Sequence, residues 1–137
     1  MKFLPILLLL AAAPLLWAQS DAPASNVTNV TSEAAEKLLA EKKDMVVLDL
    51  RTPEEFKAGH IPGATNIDFL AANFATNLAS LDKTKTCLVH CASGGRSTRA
   101  LPVFQEQKFQ SVMHLDGGFK GWQAAGKAVE PAQDAKK

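Results

Sequence analysis

The chain has no excess of either charge: 15 lysines and arginines stand against 14 acids, a formal net charge of +1 over 137 residues. Without a basic excess or a long charge run, neither nucleic acid nor an anionic membrane surface is expected as a partner. Cysteine is scarce as well. The only two, Cys87 and Cys91, form no C-x-x-C pair and are too few for a zinc site, and no suitably spaced histidine completes one, so no metal or cofactor is expected. If residues 87–91 are extended, at about 3.3 Å per residue, the two Cα atoms lie roughly 13 Å apart, whereas a disulfide needs less than about 7 Å. Two free thiols are expected. No internal repeat is visible.

A hydrophobic run long enough to span a membrane is also missing. The longest, from Phe3 to Trp17, falls short of the roughly 20 residues a spanning helix needs. It follows Lys2 and precedes the small residues Ala18, Ser20, Ala22 and Ala24, the pattern of a secretory signal. Residues 1–22 are therefore read as a signal peptide, with cleavage after Ala18, Ala22 or Ala24, and the protein as exported, in a bacterial periplasm. An uncleaved N-terminal anchor is the alternative. No cysteine lies near the cleavage zone, so a lipid anchor is not supported and no stable membrane association is expected after cleavage. Residues 23–30 read as a flexible lead-in with a short strand near its end, 31–126 as one domain, and 127–137, rich in Ala, Lys and Pro, as a flexible tail. The protein is expected to be a monomer.

What is present is a regular alternation. Thr31 or Ser32 can cap a helix running from Glu33 to Lys43. Met45 to Leu50 is a continuous apolar run interrupted only by Asp49, the pattern of a parallel strand buried on both faces. Thr52 and Pro53 open a short helix that Gly59 ends. Thr65–Ile67 reads as a short strand, Phe69–Leu78 as a helix with Leu70, Phe74 and Leu78 four apart, and Thr86–Val89 as a buried strand. Thr98–Lys108 has helical spacing, with Pro102 expected to kink it or hold its start back. Ser111–Leu115 is a last strand, followed by the tight turn Asp116-Gly117-Gly118 and a short helix, Phe119–Ala125. Strands alternating with helices indicate an α/β fold, a mainly parallel sheet covered on both faces.

The chemistry concentrates in His90-Cys91-Ala92-Ser93-Gly94-Gly95-Arg96-Ser97, a loop between a buried strand and a helix. Ligands of open α/β sheets bind outside the carboxyl ends of the strands. A helix start adds unpaired N–H groups and a positive dipole end. Both favour an anion, and a thiolate is one. Gly94 and Gly95 permit positive φ, which would turn successive N–H groups inward as a nest. Arg96 supplies a cation, its alternative being a structural ion pair with a carboxylate such as Asp49. Asp49 and Arg51, on the same sheet edge, are expected to support the loop. Cys87 reads as core, and His90 points to the other face if the strand continues. His60 orders its turn through hydrogen bonds, Trp122 is core, and His114 has no evident role.

Four blocks, in order and spacing, resemble a single-domain rhodanese, a sulfurtransferase. They are Val46–Arg51 with Pro53–Phe56, Gly59–Ala64 with Asn66-Ile67, Cys91–Ser97, and Leu115–Phe119 with Gly121-Trp122. The resemblance implies a rhodanese-like, doubly wound, mainly parallel five-stranded sheet with helices on both faces. It implies that Cys91 accepts a sulfane sulfur from a donor such as thiosulfate, becomes a persulfide held by residues 92–97 (Ala92, Ser93, Gly94, Gly95, Arg96 and Ser97), and passes the sulfur to cyanide or a thiol. The family often has a basic residue directly after the cysteine, where this chain has Ala92. That motivates a second reading, a sulfur-carrier or binding module without turnover. A third, a phosphatase or arsenate reductase-like enzyme, would need the longer C-x5-R loop of those enzymes. The spacing here is C-x4-R, a cradle sized for one sulfur atom.

Overall fold

The computed structural model describes residues 26–132. The expected signal peptide, the first residues of the lead-in and the last five of the tail lie outside the described residues. Five strands form the main sheet: β1 (Val27–Val30), β2 (Val46–Asp49), β4 (Thr65–Asn66), β5 (Thr86–His90) and β6 (Ser111–Leu115). Their order is β1-β6-β5-β2-β4, and every pairing is parallel. The apolar runs at 46–50 and 86–89 take two of the three interior positions, where both faces of a strand are covered.

Helices α1 (Ser32–Glu41), α2 (Pro53–Lys57), α3 (Phe74–Ala79), α4 (Gly95–Glu106) and α5 (Gly118–Ala124) connect the strands. Because strand side chains alternate between faces, the sheet divides two cores. On one face Leu48, Cys87, Val89 and Val112 meet Phe74, Leu78, Ala100 and Phe104 of α3 and α4. On the other, Val47, Leu88 and Leu115 meet Ala35 of α1 and Phe119 and Trp122 of α5. This is the doubly wound α/β arrangement expected from the alternation.

Side-chain caps set the starts of α1 and α2. The Thr31 side chain accepts from the Ala34 N–H. At Thr52 a full capping box forms, with Thr52 Oγ1 accepting from the Glu55 N–H and Glu55 Oε1 from the Thr52 N–H, as expected of Thr-x-x-Glu before a short helix.

Three expectations are corrected. The helix expected from Phe69 starts only at Phe74. Asp68 accepts the Leu70 N–H, but the backbone then runs through two tight turns, Ala71 N–H to Asp68 O and Phe74 N–H to Ala71 O, before the helix begins, and Leu70 is left 61% exposed. The helix expected from Thr98 starts at Gly95, so Pro102 lies inside it on an exposed position and does not delay its start. The short strand expected near the end of the lead-in is present as β1, which pairs with β6 from Val27↔Val112 to Val30↔Leu115. The tail is ordered to residue 132. Its Glu130–Pro131 (β7) pairs antiparallel with Gly59–His60 (β3), and Trp122 Nε1 donates to the Ala128 carbonyl. His60 orders its turn as expected, bridging the Phe56 carbonyl and Glu130 Oε2 at 2.9 Å each.

Candidate active site

Cys91 directly follows β5, and its loop wraps over the start of α4. Its side chain is buried at the edge of a cavity of about 290 Å³, lined also by Ala92, Ser93, Gly95, Arg96 and Arg99. Gly94, at φ +114°, is the turn residue before α4. That left-handed conformation is one L side chains resist, and it aims the Gly94 N–H at Cys91 Sγ, 3.2 Å away. Gly95 is helical, so one positive φ makes the nest, not two. Ser97 Oγ lies 3.4 Å from the sulfur. Burial alone would push the Cys91 thiol up. The Ser97 hydroxyl and the N–H groups of Ser97, Gly94 and Ser93 outweigh it and leave the thiol below its ordinary value.

A second element closes the loop from outside. The first N–H groups of α5 hold its carbonyls: Phe119 N donates to Cys91 O and Lys120 N to Ala92 O, both at 2.9 Å. Gly118 makes this approach possible. At φ +58°, a Cβ there would stand 2.7 Å from both the Cys91 and the Ala92 carbonyl oxygens. Thus Asp116-Gly117-Gly118 is a turn and also the clamp on the cysteine loop.

Arg96 faces the cavity, but its guanidinium is held bidentate by Glu55, at 2.7 and 3.0 Å. The structural alternative read from sequence named Asp49 as the partner; the partner is Glu55, the residue that also caps α2. The Arg96 bonds come first among the causes that hold the Glu55 carboxyl well below its ordinary 4.5, at about 2. The donors that lower the Cys91 thiol are therefore N–H and O–H groups of its own loop, with Arg96 at the rim.

Asp49 and Arg51 lie on the opposite face from the sulfur, and no bond joins either to Cys91 among the described residues. Arg51 binds the Asp49 carboxylate through Nε and Nη2, at 2.8–3.1 Å, and donates to the Gly59 carbonyl. Its guanidinium lies 4.0 Å over the Phe119 ring. His90 is on this face too, stacked with Phe119 and donating from Nδ1 to the Cys91 carbonyl at 3.0 Å. Of these residues His90 alone bonds the loop backbone, through the Cys91 carbonyl; Arg51 touches Phe119, whose N–H holds the same carbonyl. Cys87 is free and buried like Cys91, and burial, followed by Asp82, pushes its thiol up to about 11.

One residue of the site was missed from sequence. His114 Nε2 lies 2.7 Å from Ser97 Oγ, and its Nδ1 lies 3.1 Å from Asn29 Oδ1. Parity was the available signal: His114 is two residues after Val112, on the same face of the sheet as Cys87, Val89 and Ala100. Reading it needed the register of β6 beside β5.

The matches to known proteins agree with this geometry. The model of the rhodanese-like domain family matches residues 31–125. Among curated relatives, thiosulfate sulfurtransferase GlpE of Pseudomonas putida is 40% identical over 98 residues, covering 71% of this chain and 83% of that protein. GlpE of Pseudoalteromonas translucida is 36% identical over 87 residues, covering 64% and 81%. Among solved structures, a rhodanese-like domain protein from Staphylococcus aureus superposes with a TM-score of 0.66 at 26% identity, covering 77% of this chain and 99% of that one. A rhodanese-related protein from Thermoplasma volcanium also gives 0.66, at 24% identity, covering 74% and 96%. With a family model matched across both halves of the sheet and the cysteine loop at its centre, the chain belongs to the rhodanese-like domain family.

Proposed function

We propose that this rhodanese-type sulfurtransferase works through a persulfide on Cys91. The observation that carries the reading is the ring of donors around one sulfur: the N–H groups of Ser93, Gly94 and Ser97 and the Ser97 hydroxyl, at an open cavity. The Cys91 thiolate attacks the outer, sulfane sulfur of thiosulfate. The S–S bond of the donor breaks, and sulfite leaves with the electron pair. Cys91 then carries a persulfide anion, held by the donors that held the thiolate. Cyanide or a thiolate attacks the terminal sulfur and leaves as thiocyanate or a persulfide, and the Cys91 thiolate returns. No proton is needed by either leaving group. Ala92 and Gly95 form cavity wall, and Arg96 and Arg99 give its mouth positive charge for an anionic donor.

Incubation with thiosulfate should add about 32 Da, one sulfur atom, to the intact protein, and cyanide should remove it as thiocyanate. Cys91→Ser should show neither. A wild type that takes up no sulfur and forms no thiocyanate would end the proposal.

Ala92, together with the Glu55 hold on Arg96, favours a second reading, a sulfur carrier loaded by another protein. It predicts a Cys91 persulfide that forms with a protein persulfide donor and never turns over with thiosulfate and cyanide. The phosphatase reading has the short C-x4-R loop against it.

The proposal also places the protein outside the cytoplasm, most simply in a periplasm, as a monomer. Support comes from Lys2, the apolar run to Trp17 and the small residues after it. Cell fractionation with N-terminal sequencing tests it, with a mature N-terminus after Ala18, Ala22 or Ala24 as the expected result.

A further inference from the structure

The hydrogen bonds behind Cys91 continue past Ser97: Cys91 Sγ, Ser97 Oγ at 3.4 Å, His114 Nε2 at 2.7 Å from that oxygen, and Asn29 Oδ1 at 3.1 Å from His114 Nδ1, with the Gly94 carbonyl as a side branch 3.2 Å from Ser97 Oγ. Proton counting gives the line a direction. The Asn29 oxygen can only accept, so His114 Nδ1 carries a hydrogen and the neutral ring presents Nε2 as an acceptor. The Ser97 hydroxyl has one proton. It has two acceptors, His114 Nε2 at 2.7 Å and the Gly94 carbonyl at 3.2 Å; it goes to the nearer, His114, and with either acceptor Ser97 has nothing left to donate to the sulfur. Its oxygen can only receive the Cys91 S–H. In this state the hydroxyl cannot stabilise a thiolate or a persulfide.

One rearrangement changes that. The Cys91 S–H proton passes to Ser97 Oγ while the Ser97 proton passes to His114 Nε2. Thiol and imidazole become thiolate and imidazolium, with no change in total charge. The imidazolium then donates from Nε2 to Ser97 Oγ, and the hydroxyl turns its own proton to the sulfur. We propose that His114, oriented by Asn29, takes the Cys91 proton through Ser97 and thereby sets which way the Ser97 hydroxyl points. His114 is a positioning residue, since it acts on the sulfur only through Ser97.

The surroundings suit an acceptor that stays neutral until the proton arrives. His114 is 7% exposed, and burial holds its ring below the ordinary imidazole value, with Asp116 pulling the other way. The other groups to be reckoned with are His90 on β5, which feels the charge of His114, and Arg96 on α4, which feels that of Cys91. Asn29 faces His114 from β1 in register and is itself exposed, so the line ends at solvent, where a proton can leave.

The inference rests on Cys91 as the sulfur-accepting nucleophile, but its ionisation can be read with no sulfur donor present, so failure of one is separable from failure of the other. The measurement is the rate of iodoacetamide alkylation of Cys91 against pH in wild type, His114→Gln and Asn29→Asp. Gln accepts the Ser97 hydrogen bond but cannot take a proton. Its alkylation midpoint should rise by about one unit or more, the size of effect a lost opposite charge produces. Asn29→Asp, which makes the ring more basic, should lower it. In a second arm, the His114 imidazole is titrated by NMR in wild type and Cys91→Ala. The imidazolium should persist to higher pH in wild type, again by about one unit or more. This arm carries the test if His114→Gln fails to fold. A midpoint unmoved in folded His114→Gln, or a His114 titration that ignores the loss of Cys91, would overturn the proposal.

Discussion

Cys87 and Cys91 sit four residues apart, one within β5 and the other just past its end, and each is 1% exposed. Yet burial pushes the Cys87 thiol up to about 11, while the Cys91 thiol is lowered despite its own burial. The difference lies in what the sulfurs can accept. The donors of Cys87's strand are spent on the sheet ladder, and its own S–H has only the Lys85 carbonyl within reach, at 3.7 Å. Cys91 stands where the ladder ends and α4 begins, so N–H groups that no strand needs are turned onto it. Reactivity here is a property of the position in the backbone, not of exposure.

The sharpest way to test that contrast is to remove each sulfur. Cys91→Ser should cost about 10³-fold or more in sulfur transfer, while Cys87→Ala should leave the rate within about twofold and cost only ~1 kcal/mol of stability, the scale of a small core truncation. Steady-state kinetics and urea unfolding read the two. Next comes the clamp. Gly118→Ala places a Cβ 2.7 Å from the Cys91 and Ala92 carbonyls at φ +58°. It should destabilise by ~2–4 kcal/mol and raise the Cys91 midpoint by unseating the loop, leaving Cys87 unchanged.

Ser97→Ala removes one donor and should bring Cys91 toward Cys87. A hydrogen bond to a charged group is worth about 1.5–3 kcal/mol, so the alkylation midpoint should rise by about one to two units. Glu55→Gln has the smallest effect. It releases Arg96 to the cavity and should lower the KM for thiosulfate while costing at most ~0.5 kcal/mol, because the pair is partly exposed and screened. The Glu55 carboxyl is depressed from its ordinary 4.5 to about 2, so its stabilisation is complete above pH 4.5 and lost as pH falls through 2. The difference in melting temperature between wild type and Glu55→Gln should shrink over that window.

Much of this is legible in the sequence. Runs such as Met45–Leu50 and Thr86–Val89 announce buried parallel strands because nothing polar interrupts them but Asp49, whose partner Arg51 follows two residues later. Thr52-Pro53-Glu54-Glu55 announces its own cap. The cysteine loop was legible because glycines and a following helix leave donors free. The rest depended on what lies side by side. His114 looks idle within β6 and gains a partner only when β6 lies between β5 and β1. Glu55 reads as a capping residue, and nothing local says that its second oxygen reaches Arg96, 41 positions on. The segment 127–132 has a tail's composition, and its order comes from His60 and Gly63 binding Glu130. The start of α3 moved because the backbone spends residues 68–74 on two successive tight turns, with Ala71 N–H bonded to the Asp68 carbonyl and Phe74 N–H to the Ala71 carbonyl.

The central claim is that donors at the end of β5, rather than exposure, make one of two buried thiols a nucleophile. It is tested most directly by alkylating wild-type protein across pH and reading both cysteines separately by peptide mass. Cys91 should react with a midpoint below that of an ordinary thiol, while Cys87 stays unmodified until pH nears 11. Equal midpoints, or a Cys91 midpoint at or above the ordinary value, would contradict it.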